Sequence, residues 1–526
     1  MKWLSTIGIT FGVLLLLVSG ILATRDAEAN NRLWIAYQHD VSAGNVELYR
    51  VMPDGSAAQH IYTGYLTTRL LQIDHNQIWL SYMQDGSPQQ LPQLVIVALD
   101  YFGNIQVEYR ISHIQGQLPL ALPTVFEQNI LIQSGHYLYR YDRQTEQLFS
   151  VSNSAWGGAI GATEDWTIFK TDNGTTEFLM AMPYAPAEQG NTVSTCQIAL
   201  PNLGIPGEYE IIQRIDTITW LVRHHHSNNP LRADQVVESD YFEFLTVDDC
   251  QLTPLEGLPR FEQFASLFSF PIELDRESID QLTAEFESVY FAASTETELY
   301  YIIGNTLYRY EYATQTHQIV VQDDRVRLND TTGSMEIYHE TAKGEQDSEY
   351  LIIRHQIDEM LIVNLQTDTI RPIFLRHDIF SMAINYWNHD HYIFLFSHPM
   401  ASATDARTSL IRINLATGNQ QNIRLTSDPY EPAYLSFPHM DPFHNVGGVN
   451  SSSTLLLQLP ETPYVLLSGL IVNLKEEAYI ELPDDIARFR FNPTPPIHTP
   501  RYNPIGLLLA GLILIVQGGG MMMYRS

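Results

Sequence analysis

A two-stranded unit with a polar tip recurs along this 526-residue chain, and no other feature limits the fold as much. Tyr137–Val151 shows it plainly. Strand side chains alternate, so Leu138, Arg140 and Asp142 point one way and Tyr137, Tyr139 and Tyr141 the other. The polar run 142–147 supplies a turn, and Leu148–Val151 resumes an apolar return. Thr306–Val321 is nearly a copy, and Met360–Phe374, Ser409–Ile423 and Gly469–Ile480 repeat the shape. At Met52–Ser56 the tip is Pro53-Asp54-Gly55, where proline presets φ and Asp-Gly makes the turn.

Such hairpins begin near residues 46, 94, 137, 178, 242, 306, 360, 409 and 469. Several short strands in each period of very roughly 40–65 residues mark a β-propeller. A β-sandwich array would not copy one hairpin at this interval, and β-helix repeats are far shorter. The expected fold class is therefore all-β: a single β-propeller of about seven or eight blades, with terminal hydrophobic helices. One closed ring is expected over residues 30–491, with the first and last strands completing one blade together. Leu274–Ser288 departs from the pattern. Ile279, Leu282 and Phe286 fall at helical spacing, which predicts a short amphipathic helix between blades. The links 224–240 and 437–453 read as loop excursions.

Tyr49–Ser56, in which a strand ends in a Pro-Asp-Gly turn, resembles the repeat of TolB-like (WD40-like) propellers. The match is confined mainly to this first unit, and later tips are closer to the looser hairpins of quinoprotein-like propellers. The resemblance implies a propeller that binds something at one face, and it carries over no functional residue.

Both termini are apolar. Residues 1–29 read as a signal peptide or an N-terminal membrane anchor: Lys2 precedes the uncharged run Trp3–Ala23, and Ala27-Glu28-Ala29 offers a small-x-small cleavage site. Residues 492–504 form a proline-rich spacer, 505–523 a transmembrane helix and 524–526 a short cytoplasmic tail. Lys2 and Arg525 place the body on the extracytoplasmic side of a cell membrane.

The formal charge of −31 repels phosphate backbones, so nucleic acid is not an expected partner. The expected partners are the membrane, through the terminal helices, and a protein or glycan on a propeller face. Cys196 and Cys250 are too few for a disulfide framework. They hold similar places in successive repeats, where outer strands commonly stand too far apart for the Cα separation of about 4.4–6.8 Å that a bridge requires. A bridge and a pair of half-buried thiols both remain open.

No nucleophile elbow, phosphate-binding glycine loop or His-Glu-x-x-His zinc motif is present. Catalytic residues are therefore unknown and no cofactor is expected. His224-His225-His226 reads as a polar loop, since consecutive strand residues cannot all face one ion. His389 and His391 are the better-spaced metal candidates, because alternate strand residues share a face. Acidic pairs such as Asp248-Asp249 fall in turns, where aspartate serves the backbone. A membrane-tethered binding or scaffold module for protein, peptide or glycan ligands is the expected function. The alternative is a propeller enzyme (hydrolase, lyase or quinone-dependent oxidoreductase) with its site at the channel mouth.

Overall fold

The computed structural model describes residues 32–40, 42–74, 76–84, 92–112, 114, 122–153, 155–172, 176–184, 195–200, 207–228, 237–259, 288–295, 297–326, 336–339, 350–356, 359–374, 378–387, 390–398, 409–424, 456–459, 462–467, 470–476, 478–482, 486 and 489–494. The protein is all-β, with the strand arrangement of a β-propeller. Its described strands form nine four-stranded sheets, each an antiparallel meander, against the seven or eight blades expected from the repeat. The difference has a simple cause. Every one of the nine hairpins is the outer pair of its own sheet, so the shared closing sheet does not reduce the count.

That closing sheet joins the two ends of the described chain. Strand Trp34–Asp40 pairs with Asn45–Val51 on one side and with Arg490–Pro493 on the other, bringing Trp34 opposite Pro493. The last strand thus takes in Asn492 and Pro493, which by sequence alone belong to the proline-rich spacer. Proline is tolerated there because this is the edge strand of its sheet. Thr494 follows and is fully occupied by Leu33: its N–H donates to the Leu33 carbonyl at 2.9 Å. Its Oγ1 donates to the same carbonyl at 2.6 Å and accepts from the Leu33 N–H at 2.7 Å.

The chain divides into two compact units. One comprises 1–83, 95–108 and 455–526, the other 84–94 and 109–454. In the first unit, Ile35, Val46 and Leu48 pack against Ile78, Leu80, Val95 and Val97 of the following sheet. Trp34 and Val51 pack against Leu459, Leu466 and Ile471 of the ninth. In the second unit each neighbouring pair of sheets repeats this, as Leu307, Leu351, Leu361 and Val363 do between the sixth and seventh. Strands buried on both faces explain the near-continuous apolar runs such as Leu94–Leu99.

Several hairpin tips share one device. An Asp or Asn ending the outgoing strand turns its side-chain oxygen onto backbone N–H groups ahead: Asp142 accepts from Gln144 and Thr145, both at 2.8 Å, and Asn364 from Gln366 and Thr367, both at 2.9 Å. In four tips the last residue takes a left-handed conformation, Glu146 at φ 56°, Cys250 at 53°, Gln315 at 54° and Asp368 at 52°. Gly55 does the same at φ 72°, and a Cβ there would stand 2.6 Å from Leu482.

The helix expected at Leu274–Ser288 lies outside the described residues apart from Ser288, as do the segments 3–23 and 505–523. Among the described residues no helix is long and apolar enough to cross a membrane.

Candidate functional site

Strand Gly207–Arg214 is the first, edge strand of the fifth sheet, and Thr219–Asn228 and Val237–Thr246 follow it. Register sets Glu208 opposite His225, Tyr209 opposite His224 and Glu210 opposite Arg223. On the far side of the central strand, Arg223 stands opposite Phe242 and His225 opposite Asp240. Alternation therefore sends Glu208, Glu210, Arg223 and His225 to one face and Tyr209 and His224 to the other.

This corrects the reading of His224-His225-His226 as a loop. The triplet lies within a ten-residue strand hydrogen-bonded on both sides. The supposed loop 224–240 is strand through Asn228 and strand again from Val237.

Asp240 organises the charged face. Its side chain is only 2% exposed, and both oxygens are committed. Oδ1 accepts from Arg223 Nε at 2.8 Å and lies 2.9 Å from His225 Nδ1. Oδ2 accepts from Arg223 Nη2 at 3.2 Å and from the Phe291 N–H of the sixth sheet at 2.6 Å. Burial pushes this carboxyl up, but the His225 bond, the Arg223 charge and bond, and the Phe291 amide outweigh it and hold the group below the usual carboxylate range. Arg223 spends its remaining nitrogen, Nη1, on Glu210 Oε2 at 3.2 Å, and its guanidinium lies 5.4 Å from the Phe291 ring centre.

On the opposite face, His224 Nε2 is 2.9 Å from Glu243 Oε2, and its ring centre is 3.9 Å from that of Tyr209. Lys170 of the fourth sheet places Nζ 5.3 Å from the Tyr209 ring and 3.3 Å from Glu177. Burial, then the charges of Glu243 and Glu177, raise the Tyr209 phenol well above its ordinary range, so it stays neutral. Together Ile160, Glu208, Tyr209, Glu210, Arg223 and His225 line a cavity of about 340 Å³.

The residues singled out from sequence lie elsewhere. His389 falls outside the described residues, and His391 sits in strand Asp390–His398 paired with Tyr386. Among the described residues no three His, Cys, Asp or Glu side chains converge as a metal site would require. Cys196 and Cys250 are joined as a disulfide, with Cα atoms 5.0 Å apart. The expectation that outer positions of neighbouring sheets stand too far apart does not hold at this pair. Cys196 opens its strand, whereas Cys250 occupies the left-handed tip residue of the next hairpin, and both sit in the apolar layer shared by the fourth and fifth sheets.

Sequence reasoning missed Glu208, Glu210, Arg223 and Asp240. The signal was the alternation itself: Glu-Tyr-Glu, Arg-His-His and Asp-Tyr-Phe-Glu are complementary in charge once laid side by side.

No family model matches the chain, and no curated protein matches it. Solved structures similar in part include dihydro-heme d1 dehydrogenase NirN, 11% identical with a TM-score of 0.33, covering 76% of this chain and 74% of that one. A eukaryotic initiation factor is 8% identical with a TM-score of 0.41, covering 75% and 96%. Dipeptidyl peptidase 4 of Porphyromonas gingivalis is 10% identical with a TM-score of 0.32, covering 74% and 53%. Values this low transfer no ligand and no activity.

Proposed function

We propose that the chain is a membrane-tethered, extracytoplasmic binding module, with the cleft along Gly207–Arg214 as its recognition site. The cleft carries this reading. It combines a cavity of about 340 Å³ with an edge strand and polar side chains held in place by the buried Asp240. Pre-set polar groups of this kind fix a ligand's orientation at little entropic cost.

Three further observations support the address. The apolar runs Trp3–Ala23 and Ile505–Met523 each suffice in length for a bilayer's hydrocarbon core. Both cysteines of the chain are spent on one disulfide, which persists in oxidising compartments. The Pro-Asp-Gly tip at 53–55 agrees with the resemblance to TolB-like propellers, and a TolB-like role would place the partner among envelope proteins.

Full-length protein probed on peptide and glycan arrays, beside a Glu208→Lys variant, tests the reading. Ligands lost with the variant support it. An identical pattern for both proteins overturns the cleft as the site.

A propeller enzyme is the second reading, and the His225–Asp240 pair favours it. An imidazole held at Nδ1 by a carboxylate is the arrangement of an oriented general base. Substrate turnover abolished by His225→Ala would establish it.

A further inference from the structure

We infer that the cleft recognises a basic side chain, arginine above all, presented by a peptide segment of a partner protein. The inference rests on the binding reading above and names its ligand class.

The argument is one of unused bonding capacity. An anionic ligand would need Arg223, but its charge is already paired with Asp240 and Glu210, and Glu208 beside them repels an anion. A sugar ring would need an open aromatic face, but Tyr209 packs against His224 at 3.9 Å and has Lys170 at 5.3 Å from its ring. A metal ion would need three converging ligands, which are absent among the described residues. Asp240 is saturated by Arg223, His225 and Phe291.

What remains is acceptor capacity. Among the described residues Glu208 has no ion-pair or hydrogen-bond partner, and Glu210 commits only Oε2, to Arg223. The two carboxylates are two residues apart on one face of an edge strand, roughly 7 Å along the chain. A planar guanidinium, with five N–H donors, bridges acceptors at such spacing better than an ammonium does. Ile160 gives its aliphatic stem an apolar wall. The net charge of −31 attracts such a partner from a distance.

The test uses the full-length protein and a fluorescein-labelled Gly-Arg-Gly-Arg-Gly peptide, with the citrulline-substituted peptide as a neutral control of nearly equal shape. Fluorescence anisotropy should show the arginine peptide binding at least about tenfold more tightly than the citrulline peptide. Glu208→Gln should remove about that advantage, whereas Glu476→Gln, on an exposed carboxylate of the other unit, should leave it unchanged. Equal binding of the two peptides overturns the inference, as does equal loss with Glu476→Gln, which would mark general charge attraction. If array ligands are lost with Glu208→Lys while both peptides fail, the binding reading stands and the basic-ligand inference falls. If neither arrays nor peptides respond to a cleft variant, both fall.

Discussion

Leu33 and Thr494, 461 residues apart, share three hydrogen bonds, and these bonds tie the last described strand to the first. Thr494 is 1% exposed, so water does not compete for its hydroxyl. Thr494→Val keeps the shape but strands the buried Leu33 N–H. It should lower unfolding free energy by about 1–3 kcal/mol, read by guanidinium denaturation, while Thr494→Ser recovers most of the loss.

Arg140 invites a comparison within the chain. In three sister hairpins the equivalent arginine faces a glutamine nine residues on and bonds to it: Arg50 with Gln59, Arg309 with Gln318 and Arg412 with Gln421. Arg140 faces Phe149 instead and is 2% exposed. It donates to Asn129 Oδ1 at 2.5 Å, Thr167 Oγ1 at 2.6 Å and the carbonyls of Thr163, Glu164 and Trp166 in the adjoining sheet. Burial lowers its pKa to about 10, against the opposing pull of Glu164. Arg140→Ala takes a bond from each of five acceptors, of which the Trp166 and Glu164 carbonyls keep another donor, and should cost roughly 3–5 kcal/mol in chemical denaturation. Arg309→Ala, on a partly exposed pair, should cost under about 1 kcal/mol.

Asp240 sets a pH dependence. Its native pKa lies below the unfolded value, so its stabilisation is full above the unfolded carboxylate range and is lost as pH falls through the lowered native value. Asp240→Asn should cost roughly 3–5 kcal/mol at pH 7, because it leaves Arg223 and His225 facing an amide. The gap between the two proteins should narrow from about pH 4 downward, seen as a shallower acid dependence of the variant's Tm.

The disulfide closes a loop between Cys196 and Cys250, which stand 54 positions apart in the chain. Cys196→Ala should destabilise by about 2–4 kcal/mol, and reductant should lower the wild-type Tm to near the variant's. The denatured, unreduced protein should take up no thiol reagent, since the chain holds only these two cysteines.

Much of the fold was legible in the repeat. Period-2 alternation placed the hairpins, and all nine of them are strand pairs of the structure. Their Asp and Asn tip residues behave as turn chemistry requires. The site was not legible, because its charges come from three strands and a backbone amide more than 80 residues along. His224-His225-His226 is illegible for the same reason, since polar residues in sequence suggest a loop until a neighbouring strand supplies Glu243 and Asp240.

The sequence by itself determined the hairpins and their turns, because alternation and turn propensity act within a few residues. Only the tertiary structure decided which charges are buried, which tips hold a left-handed residue against a disulfide, and which arginine faces glutamine and which is sealed beneath a neighbouring sheet. Those outcomes depend on desolvation and partner geometry, and both come from residues far away in the chain.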